Sequence, residues 1–440
     1  MSLTVGVIGI ILCLVVQNYF IYKGLSPVIS SVIATLIIIF TSNLPLQSTW
    51  DTGMSSLGGT LAVLVPLLVF GGIMGTLYSK SGATVAIVNL LLKPFEKTSN
   101  VNAKRIGGIA IILIFRVIIG FAGFDNLAIM VTMVAIVVAV FAKFDMPRKY
   151  INCLLIVAGN LGVLIPGAPQ AYLIMLEQYM TGFSNSSNII PRTFLLVLFL
   201  VGSILILNYL IKRDYDKGVH FEAGPLEIPD FETIKTPHWI AAFIPLLAVF
   251  VTYNFFGCAA WLSMLFGTLA SAILFAPYLP HEEGTSKFGV LVKECNDGVF
   301  AAPIVMLINM LPGFVMAASP AFDYMVQLLS AIPIPSAFGL LIIGILLTGA
   351  SGTSAIILVS SIVLSIYVPG GMSVQACGVV TIWTLVVLDN LPNSLGIVLQ
   401  NEMTGVTMKE SYPPIFKTAV VFAFIVSILT AAMASIGIFG

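Results

Sequence analysis

Residues 120–126 read GFAGFDN and residues 349–355 read GASGTSA. Each heptapeptide interrupts an apolar stretch, 106–142 and 336–367, long enough to be mistaken for ordinary membrane spans. Two glycines three apart break a helix, and the Asp-Asn or Thr-Ser that follows can cap a new one. Each stretch therefore reads as a re-entrant hairpin of two half-length helices that enters and leaves on one face. Irregular backbone survives at membrane depth only where protein or a water-filled cavity satisfies it, so the two tips are expected to face a shared cavity.

The rest of the chain supports a bilayer setting. Of 440 residues, 59% are hydrophobic and 9% charged, whereas a soluble domain is roughly a quarter charged. A hydrocarbon span takes about 20 mainly apolar residues. Apolar segments recur near 3–22, 25–45, 57–78, 150–181, 193–211, 238–257, 260–279, 297–316, 373–401 and 414–437. They predict about ten crossings, the first retained as a transmembrane helix because it lacks a basic start and a small-residue cleavage site. A formal net charge of zero with scattered basic residues argues against nucleic acid as a partner. Cys13, Cys153, Cys258, Cys295 and Cys377 show no CxxC spacing and read as packing residues, neither a disulfide framework nor a metal site.

The hydrophilic stretch 212–235 divides the chain into halves of similar length. The predicted organisation is a first repeat over 1–212 (hairpin 106–142, broken helix 150–181), a linker over 213–237, and a second repeat over 238–440 (hairpin 336–367, broken helix 373–401). Pro169-Gln170 is followed by Met180-Thr181-Gly182, and Pro392-Asn393 by Met403-Thr404-Gly405 at the same spacing. With the N-terminus outside and both hairpins in place, only Arg192 of the 19 basic residues is external and only Arg116 is intramembrane, as the excess of Lys and Arg in cytoplasmic loops requires. The two MTG turns then lie on opposite faces, so the repeats are inverted. Inverted repeats with discontinuous helices point to a secondary transporter with a midplane site. The fold class expected is an all-α polytopic membrane protein.

At SLGGTLAVLVPLLVFGGIMGTLYSKSG (56–82), at the first hairpin and the IPGAPQ break, and at SGTSAIILVSSIVL and LDNLPNSLGIVLQNEMTGVTMKES, the sequence resembles the gluconate permease family of the ion transporter superfamily. That resemblance implies a symporter with two hairpins and two broken helices, a homodimer that moves its transport domain as an elevator in a bacterial inner membrane. The family usually carries a Phe-Phe-Glu-like run where this chain has Phe124-Asp125-Asn126, and a His- and Pro-rich break where it has residues 165–170.

Helix N-termini at the breaks favour an anion through free N–H groups and aligned peptide dipoles. Asn126, Thr353 and Ser354 at the hairpin tips, and Gln170, Asn390, Asn393 and Ser394 at the broken helices, are each a cap or a ligand contact. Pro169 and Pro392 read as first residues of the returning half helices. Asn160 is an interhelical hydrogen-bonding residue or a ligand contact, and Asn309 the same. Arg116, in ILIFRVII, is an intramembrane cation that either meets the substrate carboxylate or pairs structurally. Asp125 and Asp389 are candidates to carry the coupling cation, H⁺ or Na⁺; no other cofactor is expected. Glu177 reads as a solvated residue at the outer interface, and His220, His238 and His281 as loop residues without chemistry. The expected function is symport of a small organic anion, a gluconate-like sugar acid or another carboxylate, with H⁺, and alternatively with Na⁺. An ion channel is disfavoured by the paired broken helices. An enzyme is disfavoured because no HExxH, GxSxG or Asp/His cluster lies at membrane depth.

Overall fold

In hydrocarbon a backbone must satisfy its own polar groups, and a computed structural model of the chain does so entirely with helices: no strand occurs among the described residues. The structure describes all residues except 1–2, 24, 97, 125–128, 225, 227, 229–233, 281–283, 302–303, 331–332, 352–354 and 393. Five helices are long and apolar enough to cross a membrane: Leu3–Ile21, Leu46–Lys80, Ile189–Tyr215, Ala260–Tyr278 and Met408–Ser435. The protein is a multi-pass membrane protein.

The helices pack in two groups. One, the frame, contains Leu3–Tyr22, Pro27–Thr41, Leu46–Lys80, Trp239–Asn254, Ala260–Phe275, Lys287–Ala301, Leu311–Ala317 and Pro320–Ser330. Between helices lipid supplies no hydrophobic drive, so small residues and polar ties hold them. The backbones of Gly298 and Ile73 approach so closely that a Cβ on Gly298 would overlap the Ile73 Cα. Ser31 donates to Asn309 Oδ1 at 2.8 Å, and Thr268 donates to the Phe70 carbonyl at 3.0 Å. Asn309 is thus an interhelical tie within the frame.

The other group, the core, contains both interrupted hairpins and both broken helices. Val101–Gly120 and Met130–Lys143 form the first hairpin, and Ser336–Ser351 with Ala355–Ile362 and the π-helical turn Val363–Tyr367 the second. Each returns to its starting end: a Cβ on Gly108 would lie 2.6 Å from the Phe144 ring, and one on Gly339 3.0 Å from the Tyr367 hydroxyl. The first broken helix is Ile151–Leu164 and Ala171–Tyr179; the second is Val374–Val387, the 3₁₀ turn Leu388–Asn390, and Leu395–Thr404. They run antiparallel. Asn152, opening the first, bonds Asn401 (2.6 Å) and Thr404 (2.9 Å) at the end of the second. Gln375, opening the second, donates to the Gly182 carbonyl at 2.9 Å just past the first.

Several expectations are corrected. The span placed at 57–78 is the 35-residue helix Leu46–Lys80, because the polar run 46–56 keeps good helical register. The span placed at 297–316 begins at Lys287 and changes to a 3₁₀ segment, Ile304–Met310, before Leu311–Ala317. Two short helices, Ala83–Glu96 and Pro320–Ser330, precede the hairpins; at 14 and 11 residues neither is long enough to register as a span. Pro169 and Pro392 are not the first residues of their half helices. They lie before the N-caps Gln170 and Ser394, because a proline pushes its predecessor into extended backbone, as at Leu391 with ψ 161°. His220 lies in a loop as expected and there hydrogen-bonds Asp145 at 2.7 Å, tying the start of the linker to the loop after the first hairpin.

Candidate functional site

The two broken helices cross at their interruptions. Asn390 Nδ2 donates to the Val386 carbonyl at 2.6 Å and to Asn160 Oδ1 at 3.2 Å, while Asn160 Nδ2 donates to the same carbonyl at 3.3 Å. Val386 belongs to the last turn of its helix, where carbonyls lack intrahelical donors. Both asparagines are buried, and their amides occupy one another.

The first break is built by its sequence. Pro166 and Pro169 remove donors, and Gly167 takes φ +70°, a backbone that only glycine adopts freely. Gln170 then caps Ala171–Tyr179: its Oε1 accepts from the Tyr172 N–H at 2.8 Å. Gln170 is fully buried and its Nε2 donor has no hydrogen-bond partner among the described residues. An unpaired buried donor costs ~1–3 kcal/mol, which is tolerable where a ligand supplies the acceptor.

The first hairpin lies directly against this break. A Cβ on Gly123 would stand 2.5 Å from the Pro169 carbonyl oxygen. Arg116, 1% exposed, donates through Nη2 to the Phe124 carbonyl at 3.3 Å. Its guanidinium fills the space left by Gly162 of the broken helix, where any Cβ would overlap it, and borders Gly120. Arg116 therefore joins the hairpin tip to the break. Next to it, Tyr78, Phe115, Phe124 and Met133 line a small apolar crevice.

In the second break Asp389 is half-buried, on the turn Leu388–Asn390, and has no hydrogen-bond or ion-pair partner among the described residues. Ser394 stands at the N-cap of Leu395–Thr404 without a side-chain cap bond. The remaining predicted site residues, Asp125, Asn126, Thr353, Ser354 and Asn393, lie outside the described residues. The structure thus brings Arg116 and Gln170 to one side of the crossing, Asn160 and Asn390 to its centre, and Asp389 beside it.

A polar cluster at the far end of the first broken helix was not read from the sequence. Glu177 is half-buried, not solvated: it accepts from the Asn185 N–H at 2.5 Å and the Tyr253 hydroxyl at 3.2 Å. Arg192, on the outer membrane side in the expected topology, is 4% exposed and interacts electrostatically with Glu177. Asn254 donates to the Gly167 carbonyl at 3.0 Å. The signal available in the sequence was the polar run SNSSN at 184–188, which has no counterpart after the second MTG.

No protein-family model matches the chain, and no curated protein matches it in sequence. Among solved structures it is similar to the Alcanivorax borkumensis YdaH transporter, whose crystal structure is described as revealing an unusual topology. The TM-score is 0.56 at 13% identity, covering 89% of each chain. At that identity the likeness is one of fold: the chain has a fold that a membrane transporter also has.

Proposed function

We propose that this chain is a secondary active transporter that carries a small organic anion in symport with H⁺. The observation that carries the reading is the unpartnered, fully buried Nε2 of Gln170 at the N-terminus of a half helix, where N–H groups and the helix dipole already favour negative charge. Arg116, one helix away, supplies a fixed positive field. Asp389, an intramembrane carboxylate without a described partner, is the coupling group; the amides of Asn160 and Asn390 and the caps near residues 126, 353–354 and 393–394 complete the site. The antiparallel broken helices, with matching Pro and MTG positions, are the centres of two inverted repeats. Sliding of the core against the frame as an elevator exposes the site to either side. The resemblance to the gluconate permease family supports a sugar acid of the gluconate type, a homodimer, a bacterial inner-membrane location and an external N-terminus.

Uptake into proteoliposomes tests this. Gluconate and a panel of sugar acids and dicarboxylates are offered with the pH and Na⁺ gradients imposed separately. Accumulation driven by the pH gradient is expected. Accumulation driven by Na⁺ alone transfers Asp389 to a Na⁺-coupled mechanism, and saturation-free flux independent of both gradients removes the transporter reading in favour of a channel.

A further inference from the structure

Arg192 lies in the first turn of Ile189–Tyr215, and nothing in that position requires a buried cation. It is buried because both terminal nitrogens serve one residue. Nη1 donates to the Asn185 carbonyl and to the Ser187 carbonyl (3.4 Å), and Nη2 donates to Asn185 Oδ1 at 3.1 Å. Asn185, itself fully buried, turns its other groups to the first break. Its Nδ2 donates to the Ala168 carbonyl at 2.7 Å and its carbonyl accepts from the Gly167 N–H at 3.1 Å. Its own N–H is held by Glu177, which balances the Arg192 charge. Every connection between the guanidinium and the break is a hydrogen bond to backbone or to one amide side chain, and the chain of contacts stops two residues short of Gln170.

We propose that Arg192 is a positioning residue for the anion site: through Asn185 it fixes the Gly167–Ala168 peptides and thereby sets the place of the Gln170 Nε2 donor. The inference rests on Gln170 being a substrate contact. The planar fork of Arg spans a carbonyl and a side-chain oxygen together, whereas Lys offers a point charge with a different reach. Arg192→Lys keeps the charge opposite Glu177 and loses the two-point grip. Asn185→Ala keeps Arg192 and the Asn185 carbonyl that accepts from the Gly167 N–H, and removes the side-chain half of the relay, to Ala168.

Hydrogen exchange measured by mass spectrometry on the purified full-length protein decides the structural half without any substrate. In Arg192→Lys and Asn185→Ala, exchange in peptides covering 165–171 is expected to rise about tenfold or more, the loss of one to two charge-assisted bonds, while peptides from Val374–Val387 stay at the parent rate. Gluconate uptake into proteoliposomes is expected to show KM raised about tenfold with Vmax within about twofold. Unchanged exchange at 165–171 in both variants overturns the proposal. So does faster exchange spread evenly over the chain, which marks a general fold pin, and so does local loosening that leaves KM unmoved. If the parent protein takes up no member of the sugar-acid and dicarboxylate panel, the transport reading fails and with it the link to substrate, while the exchange result still decides whether Arg192 holds the break.

Discussion

The break at 165–170 and the break at 388–394 interrupt helices with the same Pro and MTG spacing, yet they are held in different ways. In the first, the carbonyls of Gly167 and Ala168 are both taken by asparagine side chains, Asn254 and Asn185, and Gln170 caps the returning helix with its own side chain. In the second, Asn390 ties the end of one half helix, Ser394 makes no side-chain cap bond, and Asp389 is left without a described partner. A pinned break suits a site that must present donors in fixed geometry. A loosely tied break with an unpaired carboxylate suits a group that changes protonation as its surroundings change. Under the proposed function, the difference places binding chiefly at the first break and coupling chiefly at the second.

The largest test of that assignment is Asp389→Asn. The amide resembles the protonated acid, so gradient-driven accumulation is expected to disappear while exchange of labelled for unlabelled substrate across the membrane survives. Uptake under an imposed pH gradient, measured beside counterflow, reads both; accumulation at the parent level breaks the comparison at its second half. A smaller effect is expected on the pinned side. Gly162→Ala puts a methyl where the Arg116 guanidinium lies, an overpacking that costs ~1–3 kcal/mol and lowers the thermal midpoint in detergent. Adding Arg116→Ala removes the guanidinium from that space and is expected to return part of the loss. If the double variant is no more stable than Gly162→Ala alone, the close fit between Arg116 and Gly162 is not what limits that position.

Much of this arrangement was legible in the sequence because membrane helices announce themselves locally. The turn of the first hairpin, the IPGAPQ break and the MTG turns depend on backbone conformations that few residues allow, and Gly123, Gly167, Gly182 and Gly405 do take positive φ; Gly349 of the second hairpin stays helical. What stayed hidden depends on partners distant in the chain. Asn254, 87 residues from Gly167, ends its helix against the break; Arg192 bonds Asn185 and Ser187, only seven and five residues before it, but its charge is balanced by Glu177 through a loop fold that no local pattern shows. Gln375 reads as an exposed polar residue until the antiparallel crossing places it at Gly182. The short helices Ala83–Glu96 and Pro320–Ser330 were missed for a different reason. At 14 and 11 residues they are too short to be spans, and their place before each hairpin becomes apparent only once the hairpins are known.

The smallest expected effect sits where the two breaks meet. Val386 offers a carbonyl with no helical donor, and two side chains compete for it: Asn390 at 2.6 Å and Asn160 at 3.3 Å. Removing Asn160 leaves the shorter bond in place, so Asn160→Ala is expected to cost about 0.6 kcal/mol, the average found for polar ties between membrane helices. Removing Asn390 withdraws the shorter bond and also strips Asn160 Oδ1 of its donor, so Asn390→Ala is expected to cost about 1–2 kcal/mol. Because the residues share one acceptor and bond one another, the double variant should cost less than the two single losses added together. Equilibrium unfolding in mixed detergent micelles can resolve the three values. Strict additivity would show that the two breaks do not touch energetically, and the site would then have to be described as two independent halves instead of one crossing.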